Sequence, residues 1–86
     1  MKLNINFIVH SDDDETLLAP TAEANFSGIV RGNKTFGTIL GLLEEGKSRD
    51  EIVAALKERF NAEDGVIEDD VDTILEKLRS IGAIDD

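Results

Sequence analysis

The hydrophobic pattern of this chain changes period once, near Asn33, and that change limits the folds open to it. Before Asn33 the apolar residues alternate; after it they recur every three or four positions. A period of two belongs to strands and one of 3.6 to helices. Ile5, Phe7 and Val9 share one face of an extended segment that ends at His10-Ser11, with Ile8 on the other face. The adjacent carboxylates Asp12-Asp13-Asp14 are comfortable only in water and predict a turn. Residues 16–19 predict a second strand, stopped by Pro20, which cannot donate to a ladder. After a polar stretch over 21–25, a third strand is predicted over 26–31. Phe26, Gly28 and Val30 share one of its faces, and Ile29 and Arg31 the other.

Beyond Asn33 the signals are helical. Asn33 is an N-cap, Phe36, Ile39, Leu40 and Leu43 form the apolar stripe, and Gly46 takes the C-terminal glycine position. Gly37 and Gly41 lie on one side of this helix and cost about 1 kcal/mol each relative to Ala. Their spacing predicts the close approach of a neighbouring backbone. Ser48 and Glu51 form a capping box for a second helix with the stripe Ile52, Val53, Leu56 and Phe60. A third helix starts within 67–70 and carries Val71, Ile74, Leu75 and Leu78. Its acids Glu68, Asp69 and Asp70 and its bases Lys77 and Arg79 suit the two ends of the helix dipole. Gly82 ends it, and Ile84 is expected to fold back onto the core.

Strands followed by helices define an α+β fold. The turn at Gly46-Lys47 has helix-turn-helix spacing. A three-stranded antiparallel sheet followed by a three-helix bundle is a winged-helix-like architecture. At 86 residues, a single domain over 1–86 is expected.

Charge narrows the function. Nine Lys and Arg against nineteen Asp and Glu give a net charge of −10. Residues 44–86 hold six of the basic and fourteen of the acidic side chains. Duplex DNA is met by clustered Lys and Arg. The last helix would instead present Glu68, Asp69, Asp72 and Glu76 to phosphate. No nucleic acid is expected as a partner. With no Cys and one His, disulfides, thiolate sites and multi-histidine metal cages are excluded. No apolar run approaches the ~20 residues of a membrane span. The polar N-terminus does not read as a signal peptide, so a cytoplasmic protein with no membrane contact is expected.

Chemical motifs fail one by one. Asp12, Asp14, Thr16 and Glu23 stand at calcium-loop positions, but Leu17 occupies the place of the required Gly. A second window, 61–72, fails in the same way at Val66. An acyl carrier needs a serine preceded by Asp, and Ser11, Ser27, Ser48 and Ser80 follow His, Phe, Lys and Arg. His10 is a surface or strand-end residue with no positioned nucleophile beside it. Gly28, Gly32 and Gly37 match no phosphate loop, and Gly46-Lys47-Ser48 lacks the upstream glycine. No catalytic residue, metal site or cofactor is expected.

The run Gly32-Asn33-Lys34-Thr35 through Leu42-Leu43-Glu44-Glu45-Gly46 is similar to a known family, as are Ser48, Glu51, Ile52, Val53 and Leu56. So is the close, Asp70-Val71, Leu75, Leu78 and Ile81-Gly82-Ala83-Ile84. Together they resemble the coenzyme PQQ synthesis protein D (PqqD) family, the prototype of the precursor-recognition domain of ribosomally made, modified peptides. The resemblance runs from residue 7 to residue 84. Two positions depart from the family pattern: Gly32 replaces the usual aliphatic residue before Asn, and Leu40 a common aromatic.

The resemblance implies a non-catalytic adaptor. Such a protein binds the leader of a precursor peptide and presents its core to a modifying enzyme, often a radical-SAM protein, in PQQ or other peptide maturation. The leader docks as a strand beside the third strand, in a groove walled by the third helix.

The residues support that mode independently. An uncovered strand edge offers unpaired N–H and C=O groups. Gly28, Ile29, Val30, Arg31 and Gly32 are expected to form this edge, with about four to six main-chain hydrogen bonds to the partner at ~0.5–1.5 kcal/mol each. The expected helix wall is Asp70, Val71, Ile74, Lys77 and Leu78, with Arg31 as the polar contact. Against this, Val71, Ile74 and Leu78 also read as core, and Asp70 and Lys77 as a solvated face. Two other functions stand beside the adaptor: a winged-helix DNA-binding regulator and an oligomerisation domain without a ligand.

Overall fold

A computed structural model describes residues 1–13, 15–24, 26–63 and 65–85. The acidic turn and the polar stretch each extend onto a residue outside this set, Asp14 and Asn25. The elements run β1 (Lys2–Leu3), β2 (Phe7–Ser11), β3 (Thr16–Pro20), β4 (Val30–Gly32), α1 (Lys34–Glu44), α2 (Arg49–Arg59), α3 (Val66–Ser80) and β5 (Ile84–Asp85). β2, β3 and β4 form an antiparallel sheet in that order, and the three helices follow. This is the α+β arrangement that the change of period predicts.

The register sorts the sheet into two faces. Val9, Leu18 and Val30 are opposite one another across the three strands, as are Thr16 and Gly32 across β3 and β4. Phe7, Leu18 and Val30 point into the core; Leu18 is fully buried. On the outer face, Ile8 pairs with Ala19, and Leu17 lies between His10 and Arg31. The helices close the core with Ile39, Leu40, Leu43, Ile52, Leu56, Val71, Leu75 and Leu78, all fully buried.

Local chemistry sets the helix ends. The Asn33 side chain accepts the Phe36 N–H at 3.1 Å and caps α1. The Ser48–Glu51 box is closed in both directions, at 3.2 and 3.0 Å, and starts α2. α1 and α3 end alike. Gly46 and Gly82 take positive φ, and the residue after each donates to a carbonyl five positions back: Lys47 to Leu42 and Ala83 to Leu78. Both ends are Schellman motifs, which require a left-handed residue.

Several expectations are corrected. Ile5 does not belong to the first strand: the Asn6 N–H donates to the Asn4 side chain, a turn forms, and Ile5 is 89% exposed. The third strand is shorter than the predicted 26–31. Gly28 has φ +116° and lies outside β4, as does Ile29, which is 57% exposed. Phe26 turns back instead, its ring 6.4 Å from that of Phe7. α3 begins at Val66, one residue before the predicted window, behind Gly65 at φ +85°. Phe60 is half-buried rather than core.

The glycine pair of α1 also divides. A Cβ on Gly37 would collide with the Thr16 hydroxyl, so a side chain rather than a backbone is the close neighbour. A Cβ on Gly41 would meet nothing within 4 Å. Finally, Ile84 does fold back, as a strand: Leu3 pairs with Ile84 and Lys2 with Asp85, and the Asn4 N–H donates to the Ala83 carbonyl at 2.7 Å.

Candidate functional site

Among the described residues β4 pairs with β3 along one side only, so its other side is a sheet edge. Facing that edge across a gap is α3. The cleft between them holds about 220 Å³ and is lined by Val30, Arg31, Gly32, Asn33, Phe36, Ile74 and Lys77. It does not end there. A second hollow of about 260 Å³ shares Asn33 and Ile74 with the first and adds Thr35, Asp70 and Thr73. A third, of about 180 Å³, shares Thr35 and Asp70 with the second and reaches Leu56, Phe60, Ala62, Val66 and Ile67. The three form one groove that follows α3 from Lys77 back to Val66.

The period of α3 explains why. Ile67, Val71, Leu75 and Leu78 recur on one stripe and are buried. The neighbouring stripe, Val66, Asp70, Thr73, Ile74 and Lys77, forms the groove wall. A third stripe faces α2. There Asp72 accepts two bonds from Arg49, at 2.9 and 3.0 Å, and Glu68 accepts one from Lys57 at 2.9 Å. The Arg49 bond holds the Asp72 carboxyl below the usual aspartate range, and the Lys57 bond does the same for Glu68 among glutamates. These pairs tie α3 to α2.

Of the predicted edge residues, Val30, Arg31 and Gly32 line the groove, whereas Gly28 and Ile29 precede β4. Of the predicted wall, Asp70, Ile74 and Lys77 line it. Val71 and Leu78 are 0% exposed; they support the wall from inside the core and offer a partner no surface. Sequence reading missed Asn33, Thr35, Phe36 and Thr73, which complete the floor and wall, and Phe60 and Val66 at the far end. Asn33 and Phe36 also serve as cap and core, and those local signals mask their second role. The second stripe of α3 is visible in the sequence as a periodic set displaced by one residue from the core stripe.

Gly32 has a steric reason to be glycine. A Cβ there would overlap the Phe36 ring, so any larger side chain at this position would displace the groove floor. Arg31 and Lys77, both exposed, stand on opposite banks of the cleft, and neither makes an ion pair among the described residues.

A larger hollow lies elsewhere, about 740 Å³ over Ser11, Asp12, Asp13 and Glu15 at the β2–β3 turn. It is a shallow carboxylate-lined surface. Thr16, one of the calcium-loop positions, is instead buried in β3, its hydroxyl 3.3 Å from that of Ser11. His10 and Asp12 approach to 3.5 Å in the open. Among the described residues, no group of three or more His, Cys, Asp or Glu could hold a metal ion, and no helix is long and apolar enough to cross a membrane.

The fold has counterparts among known proteins. The family model for coenzyme PQQ synthesis protein D (PqqD) matches residues 13–84. The chain belongs to the PqqD family. No curated protein matches it. Among solved structures it is similar to TbiB1 in complex with the TbiA(beta) leader peptide. That likeness has 26% identity and a TM-score of 0.77, and covers 99% of this chain and all of that one.

Proposed function

We propose that this protein is a non-catalytic adaptor. It binds the leader of a ribosomally made precursor peptide as an added strand on β4 and presents the peptide to a modifying enzyme, such as a radical-SAM protein. The observation that carries this reading is the unpaired edge of β4 facing α3 across a groove long enough for an extended peptide. Family membership and the leader-bound neighbour point the same way.

Strand addition draws affinity from main-chain hydrogen bonds and specificity from pockets for alternate side chains. β4 is three residues long, so it offers fewer outward groups than the four to six bonds expected from a longer strand. Two to four bonds at a net ~0.5–1.5 kcal/mol each are the scale. Ordering a flexible peptide offsets much of that. Side chains in the groove must therefore supply most of the remaining affinity. Phe36, Ile74 and the far end around Phe60 and Val66 are the apolar surfaces available for it.

DNA binding fits poorly. α3 carries exposed Asp69, Asp70 and Glu76, and its Glu68 and Asp72 are occupied by α2. A helix with this charge opposes the counterion release on which DNA affinity rests.

Methylating backbone nitrogens of a synthetic leader, one at a time, tests the reading. In a strand, alternate residues point their N–H at the neighbouring strand. Affinity is expected to fall about tenfold at alternate positions opposite β4 and little between them. A uniform response along the peptide would refute strand addition.

A further inference from the structure

The groove differs in character from end to end, and that difference defines its ligand. At the β4 end the side chains able to form ion pairs are Arg31, on β4, and Lys77, on α3, both exposed and both lining the cleft in a chain of net charge −10. Two cations of α2 are engaged elsewhere: Arg49 with Asp50 and Asp72, and Lys57 with Glu68. At the opposite end the lining is largely apolar, with Leu56, Phe60, Ala62 and Val66, which is 43% exposed, beside Thr35 and Asp70. Asp70 stands between the two ends.

We infer that the groove selects an extended peptide segment bearing one acidic side chain over Arg31 and Lys77 and one large apolar side chain in the Phe60–Val66 hollow. The spacing follows from helix geometry. Val66 and Lys77 are eleven residues apart on α3, or about 16 Å at 1.5 Å per residue. An extended chain covers that distance in about five residues. The acid and the apolar anchor therefore stand about five positions apart in the ligand. Asp70 disfavours a second acid between them and favours a hydroxyl or basic side chain there. This specificity rests on the peptide-binding reading and adds to it the class of leader that the groove accepts.

Selection from a random peptide display library tests it without requiring the natural partner. The bait is the full chain, beside the charge-reversed double variant R31E/K77E. Both altered positions are exposed, and circular dichroism checks that the helices are retained. The wild type is expected to enrich peptides with Asp or Glu about five positions from Leu, Phe, Tyr or Ile. The variant is expected to replace the acid with Lys or Arg and keep the apolar anchor. Replacing the acid of a selected peptide by its amide is expected to weaken binding about fivefold at low salt and much less in 1 M salt, where the screening length is ~3 Å. Enriched peptides with no acid, or the same acid selected by both baits, would overturn this specificity and leave peptide binding intact. No enrichment by either bait would overturn peptide binding itself.

Discussion

The Arg49 guanidinium at the start of α2 grips the Asp72 carboxylate on α3 through two parallel bonds, Nε to Oδ1 at 2.9 Å and Nη2 to Oδ2 at 3.0 Å. Arg49 also reaches Asp50 at 3.2 Å. The bidentate geometry ties together two helices, the second of which walls the groove. Because the bond stabilises the ionised carboxylate, Asp72 titrates below its ordinary value of 3.8 in the folded protein. A depressed folded value gives stability that is complete above the unfolded value and is lost as pH falls through the folded one.

Asp72→Asn is therefore expected to lower stability at pH 7. The gap between wild type and variant is expected to close as pH falls below about 4, once the unfolded carboxyl takes up its proton. Comparing the two proteins cancels most of the effect of the −10 background, which relaxes in both on acidification. Urea unfolding at pH 7 and pH 3 measures the gap. A gap that is unchanged or wider at pH 3 contradicts the assignment.

The two glycines of α1 give opposite expectations. Gly41→Ala meets open space and is expected to stabilise by up to about 1 kcal/mol through helix propensity alone. Gly37→Ala brings a methyl onto the buried Thr16 side chain, with its Cβ 3.3 Å away and its hydroxyl closer. Overpacking then exceeds the propensity gain, and a net loss of about 1 kcal/mol is expected. Thermal midpoints of the two variants should move in opposite directions from wild type.

Neighbouring stripes of α3 should separate stability from binding. Leu78→Ala removes a fully buried side chain and is expected to cost about 2–5 kcal/mol. Ile74→Ala alters a half-buried groove residue, with a smaller loss of stability and a drop in peptide affinity of about tenfold. Equal affinity for wild type and Ile74→Ala would remove α3 from the binding surface. Fluorescence anisotropy with a labelled leader, alongside urea unfolding, reads both quantities.

Much of the fold can be read from the sequence, because its strongest signals are local. Asn33, the Ser48–Glu51 box, Gly46 and Gly82 act within a few residues, and each determines a helix end as predicted. The β1–β5 pairing is not legible. Two-residue strands have no period, and their partners lie at opposite ends of the chain. Nor is the true extent of β4, since alternation over 26–31 is indifferent to a left-handed turn at Gly28. On α3, Val71 and Leu78 can be assigned either to the core or to the wall from sequence alone. Only the packing of α2 and β5 against that helix decides which stripe is covered.

All of this depends on whether the outer edge of β4 receives the peptide backbone. Hydrogen exchange of the backbone amides at residues 30–32, followed with and without bound leader, tests that most directly. Within this segment, amides that point away from β3 should exchange freely in the unbound protein and slow by at least about tenfold in the complex, together with amides of the peptide itself. Exchange at 30–32 that is unchanged while the peptide is demonstrably bound would contradict the account.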